Sequence, residues 1–234
     1  MNIIITGASS GIGYEAAKLF AGESGNRILV ISRNAEKLDE LVKSCRKDGC
    51  TGLISAFPFD LANGNLAGEL IPALAGFMKN IDILVNNAGQ LVNKPFDQLT
   101  ETDFEMVFGS NVKGPFLLIK ALLPYFSENS HIVNIGSMGG YQGSAKFKGL
   151  SLYSSSKGAL AILTECLAEE LKERKIFVNC LALGSAQTEM LSQAFPGYQA
   201  PLTAREMAEF IVDFSVRGHR WFNGKVLPVS LSTP

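Results

Sequence analysis

The chain has 234 residues, a mass of 25.2 kDa and a formal net charge of −1. Apolar residues make up 47% and charged residues 18%, which excludes an intrinsically disordered chain. The 21 basic and 22 acidic residues are balanced, so composition gives no reason to expect a nucleic-acid partner. No linker, repeat or low-complexity tract divides the sequence, which predicts one domain over 1–234.

Cysteine usage and hydropathy bear on the compartment. The chain has four cysteines, Cys45, Cys50, Cys166 and Cys180. They form no C-x-x-C pair and only two histidines accompany them, so we expect no zinc site. Four thiols in a chain of this size fit a reducing compartment, and we expect the cytoplasm. The apolar run 116–126 is interrupted by Lys120 and Pro124, so we expect no membrane span and no membrane partner. The first residues do not resemble a signal peptide.

Short apolar runs alternate with helical segments along the chain. Strands are predicted at 3–5, 27–32, 53–59, 81–85, 131–135, 176–183 and 225–229. Helices are predicted at 12–21, 35–48, a segment ending near 79, 103–108, 112–126, 152–174 and 203–217. Uninterrupted Val/Ile/Leu strands between helices indicate a parallel sheet that is covered on both faces. We therefore predict an α/β fold, a doubly wound parallel sheet (Rossmann fold) of about seven strands.

A glycine-rich segment, TGASSGIG over 6–13, separates the first strand from the first helix. Glycines let the backbone turn sharply and approach a pyrophosphate, and the helix N-terminus supplies N–H donors and a positive dipole. The spacing is G-x-x-x-G-x-G, and its position after the first strand favours a nucleotide site over an ordinary turn. The expected phosphate-binding residues are Gly7, Ser9, Ser10, Gly11, Ile12 and Gly13.

The same segment also matches G-x-S-x-G, the nucleophile elbow of α/β-hydrolases, with Ser9 as the serine. Asp213 and His219 follow in the chain order that such a triad needs. A hydrolase elbow lies deep in its sheet and not at residue 7, so a serine hydrolase is a remote alternative.

The end of the second strand, Ser32-Arg33-Asn34, bears on the choice of cofactor. NAD-binding folds place an acid here for the ribose 2′-hydroxyl, and this chain has none before Glu36. Arg33 would instead pair with a 2′-phosphate through charge-assisted bonds. The alternatives are a solvated arginine, and for Asn34 an N-cap of the next helix.

Tyr153 and Lys157 open the longest predicted helix, four residues apart and therefore on one face. A lysine cation about 5 Å from the phenol would lower the tyrosine pKa by about two units at an effective dielectric of about 20. Such a tyrosine exchanges a proton with a carbonyl or alcohol oxygen. Alone, Y-x-x-x-K is a weak signal, because it also occurs by chance as a surface pair.

Taken together, the motifs resemble those of the short-chain dehydrogenase/reductase family in its short single-domain form, across essentially the whole chain. They are 6–13, Asp60-Leu61, Asn86-Asn87-Ala88-Gly89, Asn111, Ser137, and Tyr153 with Lys157. The resemblance implies four catalytic residues. Tyr153 would be the acid/base, Ser137 would polarise the carbonyl, Lys157 would bind the nicotinamide ribose, and Asn111 would help to hold a relay water.

The resemblance also implies the rest of the cofactor site and the assembly. The absence of an acid after the second strand, with Arg33 present, resembles the members that prefer NADP. Further cofactor contacts are implied for Ser32, Asn34, Asp60, Leu61, Asn87, Ala88, Gly89, Gly184 and Thr188. A homodimer or homotetramer is implied, with contacts through the helices near 112–126 and 152–174.

The sequence departs from the family pattern in three places. The usual Pro-Gly after the sixth strand is Leu183-Gly184, and Tyr153 follows Ser137 by 16 positions, a few more than usual. The extra residues lie near 146–149 and should alter the substrate rim, while the short segment 188–203 favours an open pocket. The sepiapterin-reductase-like branch is a weaker resemblance. Candidates for an apolar cleft are Met138, Tyr141, Phe147, Leu152, Met190 and Phe195.

The sequence therefore predicts an NADP(H)-dependent oxidoreductase of the carbonyl reductase or alcohol dehydrogenase type. It would transfer hydride between nicotinamide and a small-molecule ketone, aldehyde or alcohol. The alternative from another class is a non-enzymatic NADP-binding sensor on the same fold. Such proteins typically lose the tyrosine or the lysine, and this chain has both.

Overall fold

A computed structural model of the chain describes residues 1–231, so the last three residues of the expected domain 1–234 lie outside the described part. The strands are β1 (Asn2–Thr6), β2 (Arg27–Ser32), β3 (Leu53–Pro58), β4 (Ile81–Asn86), β5 (Phe126–Ile135), β6 (Phe177–Leu183), β7 (Ala186–Gln187), β8 (Leu202–Thr203) and β9 (Val226–Val229). The helices are α1 (Gly11–Gly22), α2 (Ala35–Lys47), α3 (Ile71–Phe77), α4 (Glu101–Phe108), α5 (Gly114–Leu122), α6 (Ser151–Glu170), α7 (Glu189–Ala194) and α8 (Ala204–Arg217).

Seven strands form one parallel sheet in the order β3-β2-β1-β4-β5-β6-β9, which confirms the predicted fold. The chain winds outward from β1 to β3, then returns to place β4 on the other side of β1. This reversal opens a crevice beyond the carboxyl ends of β1 and β4, where such folds bind ligands. The sheet ends at β3 and β9, and each of these edge strands contains a proline, Pro58 and Pro228.

The two faces of the sheet carry separate apolar cores. On β1, Ile3 and Ile5 point to one face, and Ile4 points to the other. The first face is covered by α1, α2 and α8, and the second by α3, α5 and the end of α6. Since side chains on both faces of β1 meet helices, its centre, Ile3-Ile4-Ile5, is a continuous apolar run.

The helical segment over 101–125 differs from its prediction as two separate helices. It is continuous, with a π-helical turn at Gly109–Lys113 between α4 and α5 and a 3₁₀ turn at Leu123–Tyr125 after them. Within residues 1–231 it is the one helix long and apolar enough, by length and composition, to cross a membrane, which the sequence analysis did not anticipate. Its α5 part is packed on the sheet, where Leu118 and Leu122 are fully buried, as expected of a core helix.

Candidate active site

A cleft of about 700 Å³ lies at the carboxyl edge of the sheet, beyond the ends of the strands from β1 to β6. It brings together most residues that the sequence predicted for the site: Gly7, Ser9, Ser10, Gly11, Ile12, Ser32, Arg33, Asp60, Leu61, Asn87, Ala88, Gly89, Ser137, Tyr153, Lys157, Gly184 and Thr188. Gly13, Asn34 and Asn111 do not line it. Each of the three lies outside the cleft and stabilises a segment that lines it.

The glycine-rich loop is pressed against the end of β4. Gly7 has φ +67°, and a Cβ on it would lie 2.7 Å from the Ala88 Cα, so a side chain here would displace backbone. Gly13 packs beneath the loop, where a Cβ would collide with Asn87 Nδ2 and the Gly7 carbonyl, so glycine is required there. Ser10 begins α1 without capping it through its side chain, which leaves the first-turn N–H groups of α1 available to an anion.

Asn87 and Thr6 fix this loop to β4. Asn87 Nδ2 donates to the carbonyls of Thr6 (3.1 Å) and Gly7 (3.0 Å). Thr6 Oγ1 accepts from the backbone N–H groups of Asn87 and Ala88 at 3.1 and 3.0 Å. The Asn87 carboxamide is thereby committed to the loop, and the segment reaches the cleft mainly through Ala88 and Gly89.

Arg33, directly after β2, is held by the uncharged side chain of Gln90. With the Gln90 amide oriented to satisfy both of its ends, Arg33 donates from both terminal nitrogens to Gln90 Oε1, with Nη1 at 3.1 Å. Ser32 donates to Ser9 at 2.9 Å, which ties this strand end to the glycine-rich loop. Asn34 accepts from the Lys37 N–H at 2.9 Å and is the N-cap of α2, the alternative that the sequence had left open.

Asp60 and Leu61 form the wall after β3. The Asp60 carboxylate accepts from the Ala62 N–H at 2.9 Å and from Asn63 Nδ2 at 3.2 Å, which shapes the turn that faces the cleft. Leu61 is almost completely buried and packs into the core beneath the turn. The turn therefore offers the cleft a fixed carboxylate at the β3 end of the sheet.

Tyr153 and Ser137 meet at the centre of the cleft. The Ser137 side chain beside the phenol lowers the Tyr153 pKa, but burial of the phenol raises it by more. The pKa of Tyr153 is therefore raised from 10.0 in the ligand-free protein, and the lowering of two units that the spacing predicted is wrong for this state. The reason is desolvation, which disfavours the phenolate and which spacing along a helix does not reveal.

Lys157 lies beneath the Tyr153 ring, with Nζ 5.8 Å from the ring centroid. The side chain is 4% exposed, and its ammonium donates to the Ile135 carbonyl at 2.7 Å. Burial lowers the pKa of Lys157 to about 8, because the charged form is taken out of water. At neutral pH the site thus holds a desolvated cation close to the phenol.

Asn111 lies in the π-helical turn between α4 and α5 and is fully buried. Its Oδ1 accepts from the Gln90 N–H at 2.7 Å, and its Nδ2 donates to the Gln90 carbonyl at 3.0 Å and to Ser156 Oγ at 2.9 Å. Ser156 in turn donates to the Tyr153 carbonyl at 2.7 Å. Asn111 therefore connects the loop after β4 to the turn of α6 that carries the tyrosine, and both of its N–H donors are used in doing so.

The segment after β6 forms a further part of the cleft lining. Gly184 donates to the Val229 carbonyl at 2.9 Å, and a Cβ on Gly184 would collide with Ser230, so glycine is required there. Thr188 caps α7, and its Cγ2 lies 3.2 Å from where a Gly11 Cβ would be. Helix α7, which the sequence analysis did not predict, thus closes against the glycine-rich loop.

A salt bridge joins α7 to α2 across the mouth of the cleft. Lys37 Nζ lies 3.1 Å from Glu189 Oε2, and both side chains remain about half exposed. The two residues are 152 positions apart in the chain. No local pattern indicates such a pair, so sequence reasoning had no signal for it.

The outer part of the cleft is apolar. Of the residues expected there, Met138, Phe147, Met190 and Phe195 line it, whereas Tyr141 and Leu152 do not. The sequence analysis missed further lining residues, Leu91, Leu150, Leu191 and Tyr198. Phe147, in the segment where the sequence analysis placed the extra residues, lines the cleft.

The hydrolase alternative fails on geometry. Ser9 lies at the carboxyl end of β1, whereas His219 packs against His131 and Phe177 at the opposite edge of the sheet. Asp213 is ion-paired with Arg217 on α8. The three residues of the supposed triad therefore do not come together.

Comparisons with known proteins show which family the chain is related to. The family profile described as short chain dehydrogenase matches residues 1–199. A fatty acyl-CoA reductase of Acinetobacter baylyi is 33% identical over 216 residues, covering 89% of this chain and 70% of the relative. A Staphylococcus aureus protein, named an uncharacterized oxidoreductase, is 28% identical, covering 89% of this chain and 88% of its own length.

Solved structures are similar over almost the whole chain. A short chain dehydrogenase from Burkholderia cenocepacia in complex with NADP has a TM-score of 0.84 at 28% identity, covering 97% of this chain and 95% of that one. A short chain dehydrogenase from Escherichia coli CFT073, complexed with NADPH, has a TM-score of 0.86 at 27% identity with the same coverage.

Proposed function

The chain belongs to the short-chain dehydrogenase family of oxidoreductases, and from this premise we propose that it uses NADP(H) to interconvert a carbonyl compound and its alcohol. The observation that carries the proposal is the meeting of Tyr153, Ser137 and Lys157 at the centre of a cleft whose other end is the glycine-rich loop. A proton donor, a polarising hydroxyl and a cation thus lie beside a ready-made phosphate site.

The residues present fit a phosphorylated dinucleotide. The uncapped N-terminus of α1 and the left-handed Gly7 and Gly11 would hold the pyrophosphate. Arg33 would take the 2′-phosphate in place of the Gln90 amide, since a charged acceptor is the stronger partner. Asp60 would contact the adenine. When bound, the nicotinamide would supply or accept a hydride. Relatives solved with NADP and NADPH support this choice of cofactor.

Tyr153 would give its hydroxyl proton to the carbonyl oxygen in reduction and take it back in oxidation. Ser137, which lines the cleft beside Tyr153, would donate to that oxygen and hold it in place. Lys157 would stabilise the phenolate that remains, because its desolvated ammonium lies under the ring. The Lys157 side chain would also hold the nicotinamide ribose.

Asn111 would act by holding Tyr153 in place and not by contacting the reacting atoms. Both of its N–H donors are bound within the protein, so the relay water expected from the resemblance would need another donor. Through Ser156, the carboxamide holds the α6 turn that carries Tyr153. We assign Asn111 the role of keeping Tyr153 in register with the loop after β4.

The broader organisation is also part of the proposal. We assign the whole of 1–234 to one domain that holds both the cofactor and the substrate. Four cysteines without a disulfide in the described residues support a cytoplasmic location. Exposed apolar side chains on α4, α5 and α6 support a homodimer or homotetramer built on these helices.

Replacement of Tyr153 by phenylalanine tests the assignment. Tyr153→Phe removes one hydroxyl, so kcat should fall by about 10²- to 10⁴-fold while NADPH affinity changes little. Lys157→Ala should damage both turnover and NADPH affinity. Turnover is followed by nicotinamide absorbance over a panel of ketones and aldehydes, and affinity by fluorescence titration.

Two results would contradict the proposal. Full turnover by Tyr153→Phe would remove the tyrosine from the chemistry. NADPH binding without turnover of any carbonyl or alcohol would favour the non-enzymatic sensor.

A further inference from the structure

The substrate end of the cleft is built from uncharged side chains, and this limits what it can bind. Building on the proposed function, we infer that the substrate is a neutral carbonyl compound with an apolar chain or ring, and not a keto acid or a phosphate ester. The placement of charge, the apolar wall and the contacts that fix the rim all favour such a substrate.

Charged side chains of the cleft are either at its nucleotide end or already bound. Arg33 and Asp60 follow β2 and β3. Arg33 is three strand positions from β5, the strand that leads into Ser137, or about 14 Å at the usual strand spacing. Lys157 is bound to the Ile135 carbonyl, and Glu189 to Lys37. Beyond Tyr153, the side chains that line the cleft within residues 1–231 are uncharged.

The lysines near the rim do not supply a cation either. Lys94 Nζ donates to both carboxylate oxygens of Asp103, at 2.8 and 2.9 Å. Lys146 Nζ turns back onto its own loop, donating to the Tyr141 carbonyl at 2.7 Å and to Ser144 Oγ at 2.8 Å. Lys148 is exposed and is not among the lining residues. A substrate carboxylate that entered this end of the cleft would lose its hydration without gaining a cationic partner.

The apolar wall has a buried part beside Ser137 and Tyr153 and an exposed part at the mouth of the cleft. Met138 and Leu150 are each 5% exposed and form a packed floor beside Ser137 and Tyr153. Phe147 and Met190 are 46% and 42% exposed at the mouth, where an apolar substrate would cover them. Burial of apolar surface on both partners favours a substrate with a hydrocarbon substituent.

Hydrogen bonds between three rim segments hold this wall in place. Asn93 Nδ2 donates to the Ala194 carbonyl at 2.8 Å, joining the segment after β4 to the end of α7. The Lys94 N–H donates to the Gly149 carbonyl at 3.1 Å, joining the same segment to the Phe147 loop. The polar lining pair Ser185 and Tyr198 bond each other at 3.0 Å, so neither requires a charged ligand.

Matched substrates test the inference. With NADPH, kcat/KM for methyl ketones from 2-butanone to 2-octanone should rise about four-fold per added methylene until the chain passes Phe147. A keto acid should be roughly 100-fold poorer than its own methyl ester. Phe147→Lys should narrow or reverse that gap by supplying the missing cation, and Lys148→Gln, the matched control on the rim, should leave it unchanged.

Calorimetry separates this inference from the proposed function. Binding of 2-octanone, 2-hexanone and octanoate to the NADP⁺-loaded protein, in which a ketone has no hydride to accept, should show the same chain-length gain and the same rejection of the acid. That binding pattern without turnover of any carbonyl would overturn the proposed function and leave the inference standing. Turnover with keto acids as good as their esters, or with no chain-length gain, would overturn the inference.

Discussion

Arg33 illustrates how one residue prepares a choice between cofactors. In the ligand-free protein its guanidinium is held by the neutral Gln90 amide, which belongs to the loop that Asn111 also binds. The cation is therefore oriented over the cleft before a ligand arrives, and exchange of an amide for a phosphate strengthens its bonds. Only a cofactor with a 2′-phosphate can gain from that exchange.

Removal of the cation should separate the two cofactors. Arg33→Ala is expected to weaken NADPH about ten- to a hundred-fold and to leave NADH nearly unchanged, since charge-assisted bonds are lost only with the phosphorylated form. Gln90→Leu keeps the guanidinium and should keep the preference. Fluorescence titration with both reduced cofactors measures this. Equal losses for NADPH and NADH would show that Arg33 is not the discriminating residue.

At this scale, the sequence predicted which residues gather but not how they are held. The resemblance to the family predicted that Tyr153, Lys157 and Ser137 act together, and the spacing of four residues put Tyr153 and Lys157 on one helix face. The Tyr153 pKa is raised, whereas the spacing predicted that it is lowered, because burial depends on the surrounding fold. The contribution of Gln90 was missed, because a lone glutamine after a glycine has no pattern that marks it.

Among the elements, α7 and α2 show how distant segments form the cleft together. The strands and the long helices could be predicted from apolar periodicity, since each buries a face of regular repeat. Helix α7 has six residues, none of them buried, so it leaves no such periodic signal. Its position depends on Thr188, on the glycine-rich loop and on the Lys37–Glu189 bridge.

Opening of the cleft mouth should depend on that bridge. Glu189→Gln should raise both the association and the dissociation rates of NADPH by about two- to five-fold, with little change in affinity, because an exposed ion pair contributes about 1 kcal/mol or less. Added salt should do the same to the parent protein. Glu209→Gln, which removes an exposed pair with Arg205 on α8, is the control for stopped-flow fluorescence. Unchanged rates in Glu189→Gln would mean that the mouth opens elsewhere.

The whole molecule contains a buried histidine that should make its stability depend on pH. His131 Nε2 faces Asn179 Nδ2 at 3.0 Å, and its Nδ1 faces the Ser215 carbonyl at 3.0 Å. The Asn179 orientation is fixed, because its Nδ2 also donates to the Phe222 carbonyl. Protonation would set a donor against that donor, and burial lowers the His131 pKa to about 4.

Because this pKa is below the usual 6.5, the unfolded chain binds a proton that the folded chain refuses between pH 4 and 6.5. The free energy of unfolding should fall by up to about 3 kcal/mol as pH drops through that window. Urea titrations at pH 7, 6 and 5 measure the slope. His131→Gln should be less stable at pH 7 but lose much of the slope, whereas His219→Gln should keep most of it. An equal slope in His131→Gln would assign the effect to other groups.

Assembly should depend on the face that carries α4, α5 and α6. Phe104, Phe116 and Ile162 are 43%, 44% and 60% exposed there. We expect light scattering at micromolar concentration to give a dimer or larger mass, and Phe116→Lys with Ile162→Lys to lower it. Phe210→Lys, on α8 at the other face of the sheet, should not. A monomeric parent, or dissociation by Phe210→Lys alone, would contradict this interface.

The prolines at the two margins of the sheet bear on how the protein behaves when crowded. Pro58 and Pro228 each lack the N–H that a further strand would need, at the two places where the backbone ladder stops. An edge strand with unpaired backbone N–H and C=O groups can template the growth of a fibril. The missing N–H donor in each edge strand of this sheet interrupts such growth. Copies of this chain would therefore associate through side-chain contacts and not by edge-to-edge pairing of their sheets. We expect concentrated solutions to remain free of cross-β fibrils.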